Sequence, residues 1–308
     1  MNHPAAALPT PPAPPVPRRR ALGLLAGAPL AMAVGATRLE AGCGRILVPE
    51  PTGATQDPIP VWYCRPASWQ PGDRVVVVVH GMERNAEAHR DAWRQLSEAG
   101  RFLLLVPELA EAKFPGTFGF NFGNVIDAAH KPQPRTDWSF TAFDRAVQHA
   151  MRLAGATRPS FSIYAHSSGA QFLHRYLLLT GAPLAETLVL ANASVYTLPR
   201  TDRLFPEGLG GITPAPDALM AAFRCHVVLL LGEGDTDPNS PKISRQPFAA
   251  SQGSHRFARG WFFFDTMRLA AEARGAMFTW QVKTVPGVGH SGSAMAEYAA
   301  RALFAPGP

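Results

Sequence analysis

The chain has 308 residues, of which 46% are hydrophobic and 17% are charged, and its net charge is +6. This composition is typical of a globular protein with a substantial core. Three of the positive charges form one arginine run near the N-terminus, and the remaining charge is too weak and too evenly spread to indicate nucleic-acid binding.

The first 33 residues are predicted to be an export signal. Residues 1–17 are rich in Ala and Pro, and we expect them to be disordered. The run Arg18–Arg20 precedes an uncharged segment that ends near Ala33, which is the order of regions in an export signal. Its sequence resembles a twin-arginine signal, and the apolar segment is too short for a stable membrane span. We therefore expect a periplasmic or secreted protein with no membrane insertion after cleavage, and a retained N-terminal anchor is the alternative.

Two of the three cysteines are candidates for a disulfide. Cys43–Val48 and Pro60–Tyr63 are predicted strands joined by a link rich in Pro, Gly and Asp. If they pair antiparallel, the register that places Val48 opposite Ile59 also places Cys43 opposite Cys64. The cysteines do not have the spacing of a metal site, so we expect no metal and no cofactor.

Beyond residue 34 the chain alternates between strands and helices, and we expect one domain over residues 34–308. The predicted strands that follow the first two are Val75–Val79, Phe102–Val106, Phe161–Ala165, Thr187–Leu190, His226–Leu231 and Phe278–Val285. The predicted helices are Ala86–Ala99, Ala142–Ala154, Ser168–Thr180, Phe257–Arg274 and Ser291–Phe304. Such alternation with short links predicts an α/β fold, in which a mainly parallel central sheet has helices on both faces.

Ser167 lies at the predicted junction of a strand and a helix. Ala165 and Gly169 flank it two residues away on each side, in the pattern small-x-Ser-x-small. Small side chains at those positions let the strand and the helix approach each other closely at a strained turn. A helix-capping Ser-Ser-Gly turn would have the same sequence, so the assignment of a nucleophile depends on partner residues elsewhere.

Candidate partners follow two later strands. Gly232-Glu-Gly-Asp235-Thr-Asp237 comes after one strand, and Gly287-Val-Gly-His290 comes after the last. A serine nucleophile needs a base, and the base needs an orienting acid. His290 is the predicted base and Asp235 the favoured acid, with Asp237 as its competitor.

These motifs resemble those of the α/β-hydrolase superfamily, in which the nucleophile, the acid and the histidine follow in this order. The usual elbow is Gly-x-Ser-x-Gly, so Ala165 is a mild departure. His80-Gly-Met82 resembles the family's oxyanion loop, which implies an oxyanion hole formed by the amides of Met82 and Ser168. The three motifs together look most like bacterial esterases grouped with polyhydroxybutyrate depolymerases and feruloyl esterases.

Other side chains are candidates for the substrate pocket. His166 precedes Ser167, Arg84 follows the predicted oxyanion loop, and Phe118 and Phe120 lie in a Gly-rich aromatic loop. The alternative for the two phenylalanines is packing of their loop onto the body of the protein. Three further arginines are interpreted as solvated, rather than as ligands for an acidic substrate group: Arg245, Arg256 and Arg259.

The sequence thus predicts an exported serine hydrolase that cleaves small-molecule or polymeric carboxylic esters through a Ser167-His290-Asp235 triad and an acyl-enzyme. A serine peptidase or acyltransferase of the same fold is the nearest alternative, because it needs the same triad. A binding protein that retains the fold without activity is the alternative from another class. The oligomeric state is left open by the sequence.

Overall fold

The computed structural model describes residues 38–305, so the predicted export signal of residues 1–33 lies outside the described residues. The strands are β1 (Gly42–Val48), β2 (Ile59–Arg65), β3 (Val75–Val79), β4 (Leu103–Pro107), β5 (Phe161–His166), β6 (Ala185–Ala191), β7 (His226–Gly232) and β8 (Gln281–Val285). The helices are α1 (Ala86–Gly100), α2 (Gly116–Gly119), α3 (Ser139–Ala154), α4 (Ser168–Thr180), α5 (Ala218–Arg224), α6 (Pro247–Ala250), α7 (Arg256–Glu272) and α8 (Gly292–Phe304). A short 3₁₀ helix spans Arg135–Asp137.

All eight strands belong to one sheet, in the order β1-β2-β4-β3-β5-β6-β7-β8. β2 pairs antiparallel with both β1 and β4, and the remaining neighbours pair parallel. The predicted α/β fold with a mainly parallel sheet is therefore confirmed. Because β3, β5, β6, β7 and β8 run in one direction, their carboxyl ends lie at the same edge of the sheet, where open α/β sheets carry their sites.

The sheet separates two hydrophobic cores. Alternate residues of β3 enter opposite cores, since successive side chains of a strand point to opposite faces. One core also contains Phe143 of α3, Phe172 of α4 and Met267 of α7. The other contains Trp93 of α1 and Met295 of α8. Burial on both faces explains why β3 consists of five consecutive valines.

The last strand begins three residues later than predicted. Phe278 and Trp280 stack on each other with ring centroids 5.5 Å apart, and the Trp280 indole donates a hydrogen bond to the Ala222 carbonyl. The ring of Trp280 also packs 5.7 Å from that of Phe263 in α7. These contacts hold residues 278–280 against helices, so pairing with β7 begins only at Gln281.

Cys43 lies opposite Cys64 in the β1–β2 pair, and a disulfide joins them. The bond lies in the edge strand and its neighbour, where it links the antiparallel part of the sheet covalently. Within residues 38–305, no helix combines the length and the apolar character that crossing a bilayer requires.

Candidate active site

Ser167 occupies the sharp turn between β5 and α4. Its backbone has φ 57° and ψ −120°, a strained conformation for a residue with a side chain, and its amide donates to the Ala191 carbonyl at 2.9 Å. A Cβ atom at Gly169 would lie 2.6 Å from the carbonyl oxygen of His80 and 2.7 Å from that of Val79. Only glycine therefore allows α4 to pack this closely against the end of β3.

The side chains of Ser167, His290 and Asp235 form a hydrogen-bonded series. His290 Nδ1 lies 2.7 Å from Asp235 Oδ2, and His290 Nε2 lies 2.9 Å from Ser167 Oγ. Because the carboxylate only accepts hydrogen bonds, Nδ1–H is the donor, which leaves Nε2 to accept the serine hydroxyl proton. The competing Asp237 is exposed, and its carboxylate accepts the Asn239 amide instead.

Asn192 connects the loops that carry the acid and the histidine. It directly follows β6, where it is fully buried, and its Oδ1 accepts the Gly232 amide at 3.0 Å. Its Nδ2 donates to the Gly289 carbonyl at 3.4 Å. The Gly234 amide adds a direct bond to the Val288 carbonyl at 2.9 Å, so the two loops are fixed relative to each other.

The amides of Met82 and Ser168 are available to a ligand. Ser168 is the first residue of α4, where amides have no intrahelical acceptor, and Met82 lies two residues after His80 in the loop that follows β3. Neither amide donates a hydrogen bond to any residue of the described range 38–305. The Met82 side chain is exposed, and Met82 and Ser167 line one cavity.

The buried side chain of His80 holds the loop after β3 in place through two hydrogen bonds. Its Nε2 accepts the Leu109 amide at 2.9 Å, so Nδ1–H donates to the Gly81 carbonyl, also at 2.9 Å. Complete burial lowers the pKa of His80 to about 3, so the ring stays neutral and keeps both bonds at ordinary pH. The Gly81 amide donates to Nε2 of His89 on α1 at 3.4 Å. His89 is a residue of the site that the sequence analysis does not predict.

His166 packs against the ring of His290, with centroids 4.6 Å apart. Burial, followed by the proximity of His290, lowers the pKa of His166 to about 3. A neutral ring next to His290 adds no charge to the serine and histidine pair. Its Nε2 is buried and has no hydrogen-bond partner within the described part of the chain.

A cavity of about 410 Å³ opens in front of Ser167. Its walls come from the loop after β3, from α1, from the start of α4 and α8, and from the segment between β7 and α7. The lining is mixed, with the polar side chains of Asn85, Gln171 and Ser293 beside the apolar side chains of Ala92 and Trp93. At the rim, Lys242 Nζ bonds to Glu83 Oε1 at 2.7 Å, and both side chains are largely exposed.

Of the predicted pocket residues, His166 lines this cavity, but Arg84, Phe118 and Phe120 do not. The Arg84 guanidinium is turned inward, because it donates to the carbonyls of Leu109, Phe114 and Gly116 and packs 4.0 Å from the Phe120 ring centroid. Burial lowers the pKa of Arg84 to about 10, so it remains a cation.

The aromatic loop likewise packs inward. Phe120 is fully buried and stacks on His80, with ring centroids 4.9 Å apart. Phe118 packs edge-on against Phe122 and His130. The loop therefore packs onto the body of the protein, as the alternative interpretation of the two phenylalanines predicts.

Two of the three arginines interpreted as solvated are also buried. Arg245 is exposed, whereas Arg256 is 1% exposed and Arg259 is 3% exposed. Arg256 contacts Asp235. The sequence feature that could have indicated its burial is its position at the start of the apolar helix α7, which follows the loop of the acid and α6. For Asn192 the signal was a polar residue directly after a buried strand at the functional edge of the sheet.

No family model and no curated protein matches the chain. Solved structures do match it. Poly(aspartic acid) hydrolase-1 from Sphingomonas sp. KT-1 is 35% identical, with a TM-score of 0.81, over 87% of this chain and 100% of that chain. A poly(3-hydroxybutyrate) depolymerase from Bordetella parapertussis is 31% identical, with a TM-score of 0.79, over 86% of this chain and 90% of that one.

A more distant structure shares the fold alone. The acetyl xylan esterase from Aspergillus awamori is 11% identical, with a TM-score of 0.52, over 85% of this chain and 99% of that chain. The two closer matches exceed 30% identity over nearly the whole described region, and the sheet order and the strand–turn–helix around Ser167 agree with the same fold. The chain therefore belongs to the α/β-hydrolase superfamily and is a hydrolase.

Proposed function

We propose that this hydrolase cleaves carboxylic esters with Ser167 as the nucleophile. The observation that carries the proposal is the continuous pair of hydrogen bonds from Ser167 Oγ to His290 Nε2 (2.9 Å) and from His290 Nδ1 to Asp235 Oδ2 (2.7 Å). Both distances are within the range expected for a nucleophile, its base and the orienting acid.

In the proposed reaction, Ser167 Oγ attacks the ester carbonyl while His290 Nε2 takes the hydroxyl proton. Negative charge develops on the carbonyl oxygen, where the free amides of Met82 and Ser168 stabilise it. Collapse of the tetrahedral intermediate breaks the bond to the alcohol, which leaves with the proton from His290. Water, activated by the same histidine, then hydrolyses the acyl-enzyme and restores Ser167.

The cavity favours a short acyl group. Its volume of about 410 Å³ is at the small end of ligand sites, so a long chain would extend beyond it. The similarity to a poly(3-hydroxybutyrate) depolymerase favours esters of short hydroxy acids, either as small molecules or as polymer ends. The open rim with its exposed Lys242–Glu83 pair is compatible with a small-molecule ester and with the end of a polymer.

Amide hydrolysis is the second candidate, because the 35% identical relative is a poly(aspartic acid) hydrolase and aspartic acid residues in a polymer are joined by amide bonds. The same three side chains would serve, with the leaving amine taking the proton from His290. A direct comparison separates the two candidates. We expect p-nitrophenyl acetate and 3-hydroxybutyrate esters to be turned over faster than matched p-nitroanilides, and the reverse order would favour the amidase.

We further propose that the protein is exported to the periplasm or secreted. The arginine pair of residues 19–20 and the following apolar run support this, and a disulfide between Cys43 and Cys64 is compatible with an oxidising compartment. Expression of the full chain in cells with and without a functional twin-arginine pathway tests it. Accumulation in the cytoplasm of both strains would contradict the proposal.

A further inference from the structure

Arg256 lies directly behind the acid of the candidate triad. Its Nη1 is 3.3 Å from Asp235 Oδ1, whereas His290 binds the other carboxylate oxygen, Oδ2. Arg256 is 1% exposed and Asp235 is 3% exposed, so water screens this ion pair very little. The carboxylate is thus shared between a permanent cation and the imidazole.

The same guanidinium also holds the backbone of the cavity rim. Arg256 donates to Ser240 Oγ at 2.8 Å and to the Pro241 carbonyl at 3.0 Å. Pro241 precedes Lys242, which lines the cavity. The Phe257 amide, next to Arg256 in the first turn of α7, donates to the Asp235 carbonyl at 3.2 Å, so this turn holds both the backbone and the side chain of the acid.

We propose that Arg256 is a positioning residue. It binds one oxygen of the Asp235 carboxylate while His290 binds the other, and it thereby sets how readily His290 takes the serine proton. The proposal rests on the proposed function of the triad. With Arg256 in place, part of the negative charge of Asp235 is compensated, and the imidazolium that forms during the reaction is stabilised less. Without it, the unshared carboxylate acts fully on His290 and favours the protonated ring.

Arg259 supplies a matched comparison one helical turn away. It is 3% exposed, and within residues 38–305 its guanidinium donates only to the carbonyls of Gly253 and Ser194. Loss of either arginine removes a buried guanidinium from the same face of α7. Only loss of Arg256 removes a charge from the triad acid.

Apart from Arg256, the ionisable groups around His290 have to be held constant in the test. They are Asp235, the packed ring of His166, and the cavity-lining side chains His89, Glu83 and Lys242. Neither Arg256→Gln nor Arg259→Gln alters any of these groups. Glutamine keeps hydrogen-bond donors near Ser240 and Pro241 but has no charge.

The experiment is the pH dependence of labelling by a fluorophosphonate probe, with the full chain and the variants R256Q, R256K and R259Q. In R256Q we expect the acidic limb of the labelling rate to move up by about 0.5 to 1 pH unit because a neighbouring charge is lost, which lowers the rate below that limb by about 3- to 10-fold. R259Q is expected to lower the melting temperature and leave the limb in place.

R256K keeps the test decisive if R256Q does not fold. Lysine retains the charge, but its single ammonium cannot reach both Asp235 and Pro241 as the guanidinium does, so we expect an unmoved acidic limb with a several-fold lower rate. An unmoved limb in R256Q, an equal shift in R259Q, or R256K labelled as fast as the wild type would each overturn the proposal. A wild-type protein that is not labelled at all would instead refute the proposed function on which this one rests.

Discussion

Replacing Gly169 by alanine tests the close approach of α4 to the end of β3. The added Cβ would lie 2.6 Å from the His80 carbonyl oxygen and 2.7 Å from that of Val79. Both obstacles are backbone atoms, so no side-chain rotation can remove them. Ordinary van der Waals contact begins at 3.4 Å. The difference from 2.6 Å means that α4 and the end of β3 must separate by about 0.8 Å.

The expected cost has two parts that oppose each other. Overpacking of this size destabilises by about 1–3 kcal/mol, while alanine in a helix gains up to about 1 kcal/mol over glycine. The net loss of stability is therefore about 0–3 kcal/mol. The movement, however, separates the Met82 amide from the Ser168 amide, and a displacement near 1 Å at reacting groups costs roughly 100-fold in rate.

The assay combines thermal denaturation with kcat and KM for p-nitrophenyl acetate. We expect kcat of Gly169→Ala to fall by about 10- to 100-fold with a modest change in melting temperature. Gly260→Ala is the matched control, since its Cβ on α7 would lie 2.4 Å from the side chain of Leu231 in β7 and would not meet a backbone atom. Full activity in Gly169→Ala together with a raised melting temperature would refute the reasoning.

Three further predictions concern the acid, pH and the disulfide. Asp235→Asn should lower kcat by about 10⁴-fold and Asp237→Asn by only a few-fold, since His290 bonds to the first; equal losses would contradict the assignment. Burial raises the pKa of Asp144 to about 7, so folding stability should fall as pH rises from about 4 to 7. Urea unfolding should show Asp144→Asn to be more stable than wild type by about 1–3 kcal/mol at pH 8, with no such gain at pH 4. The double variant Cys43→Ser, Cys64→Ser should lose about 3 kcal/mol in unfolding free energy while keeping its activity, and an unchanged midpoint would contradict a cross-link that restrains the unfolded chain.

The fold and the candidate triad could be predicted because each motif directly follows a buried strand. Parallel strands bring their carboxyl ends to one edge, so residues as far apart as Ser167 and His290 are placed together by topology alone. The spacing after the strand favours Asp235 over Asp237, and of the two the structure brings Asp235 to the histidine.

The walls of the cavity could not be predicted in the same way. Whether a loop side chain points to the cavity or the core depends on contacts between segments far apart in sequence. Arg84 turns inward because the carbonyls of Leu109, Phe114 and Gly116 surround its guanidinium. An arginine in a sequence indicates solvent exposure by default, and only the folded chain shows the carboxylate that lets Arg256 be buried.

Ester hydrolysis by the wild type and by Ser167→Ala tests the central claim most directly. With p-nitrophenyl acetate we expect kcat/KM of the variant to be lower by at least about 10³-fold. Ser160→Ala is the control, because it removes a serine hydroxyl bonded to Glu186 at the opposite end of β5. Turnover by Ser167→Ala within tenfold of the wild type would contradict the account, since the proposed chemistry begins at that oxygen.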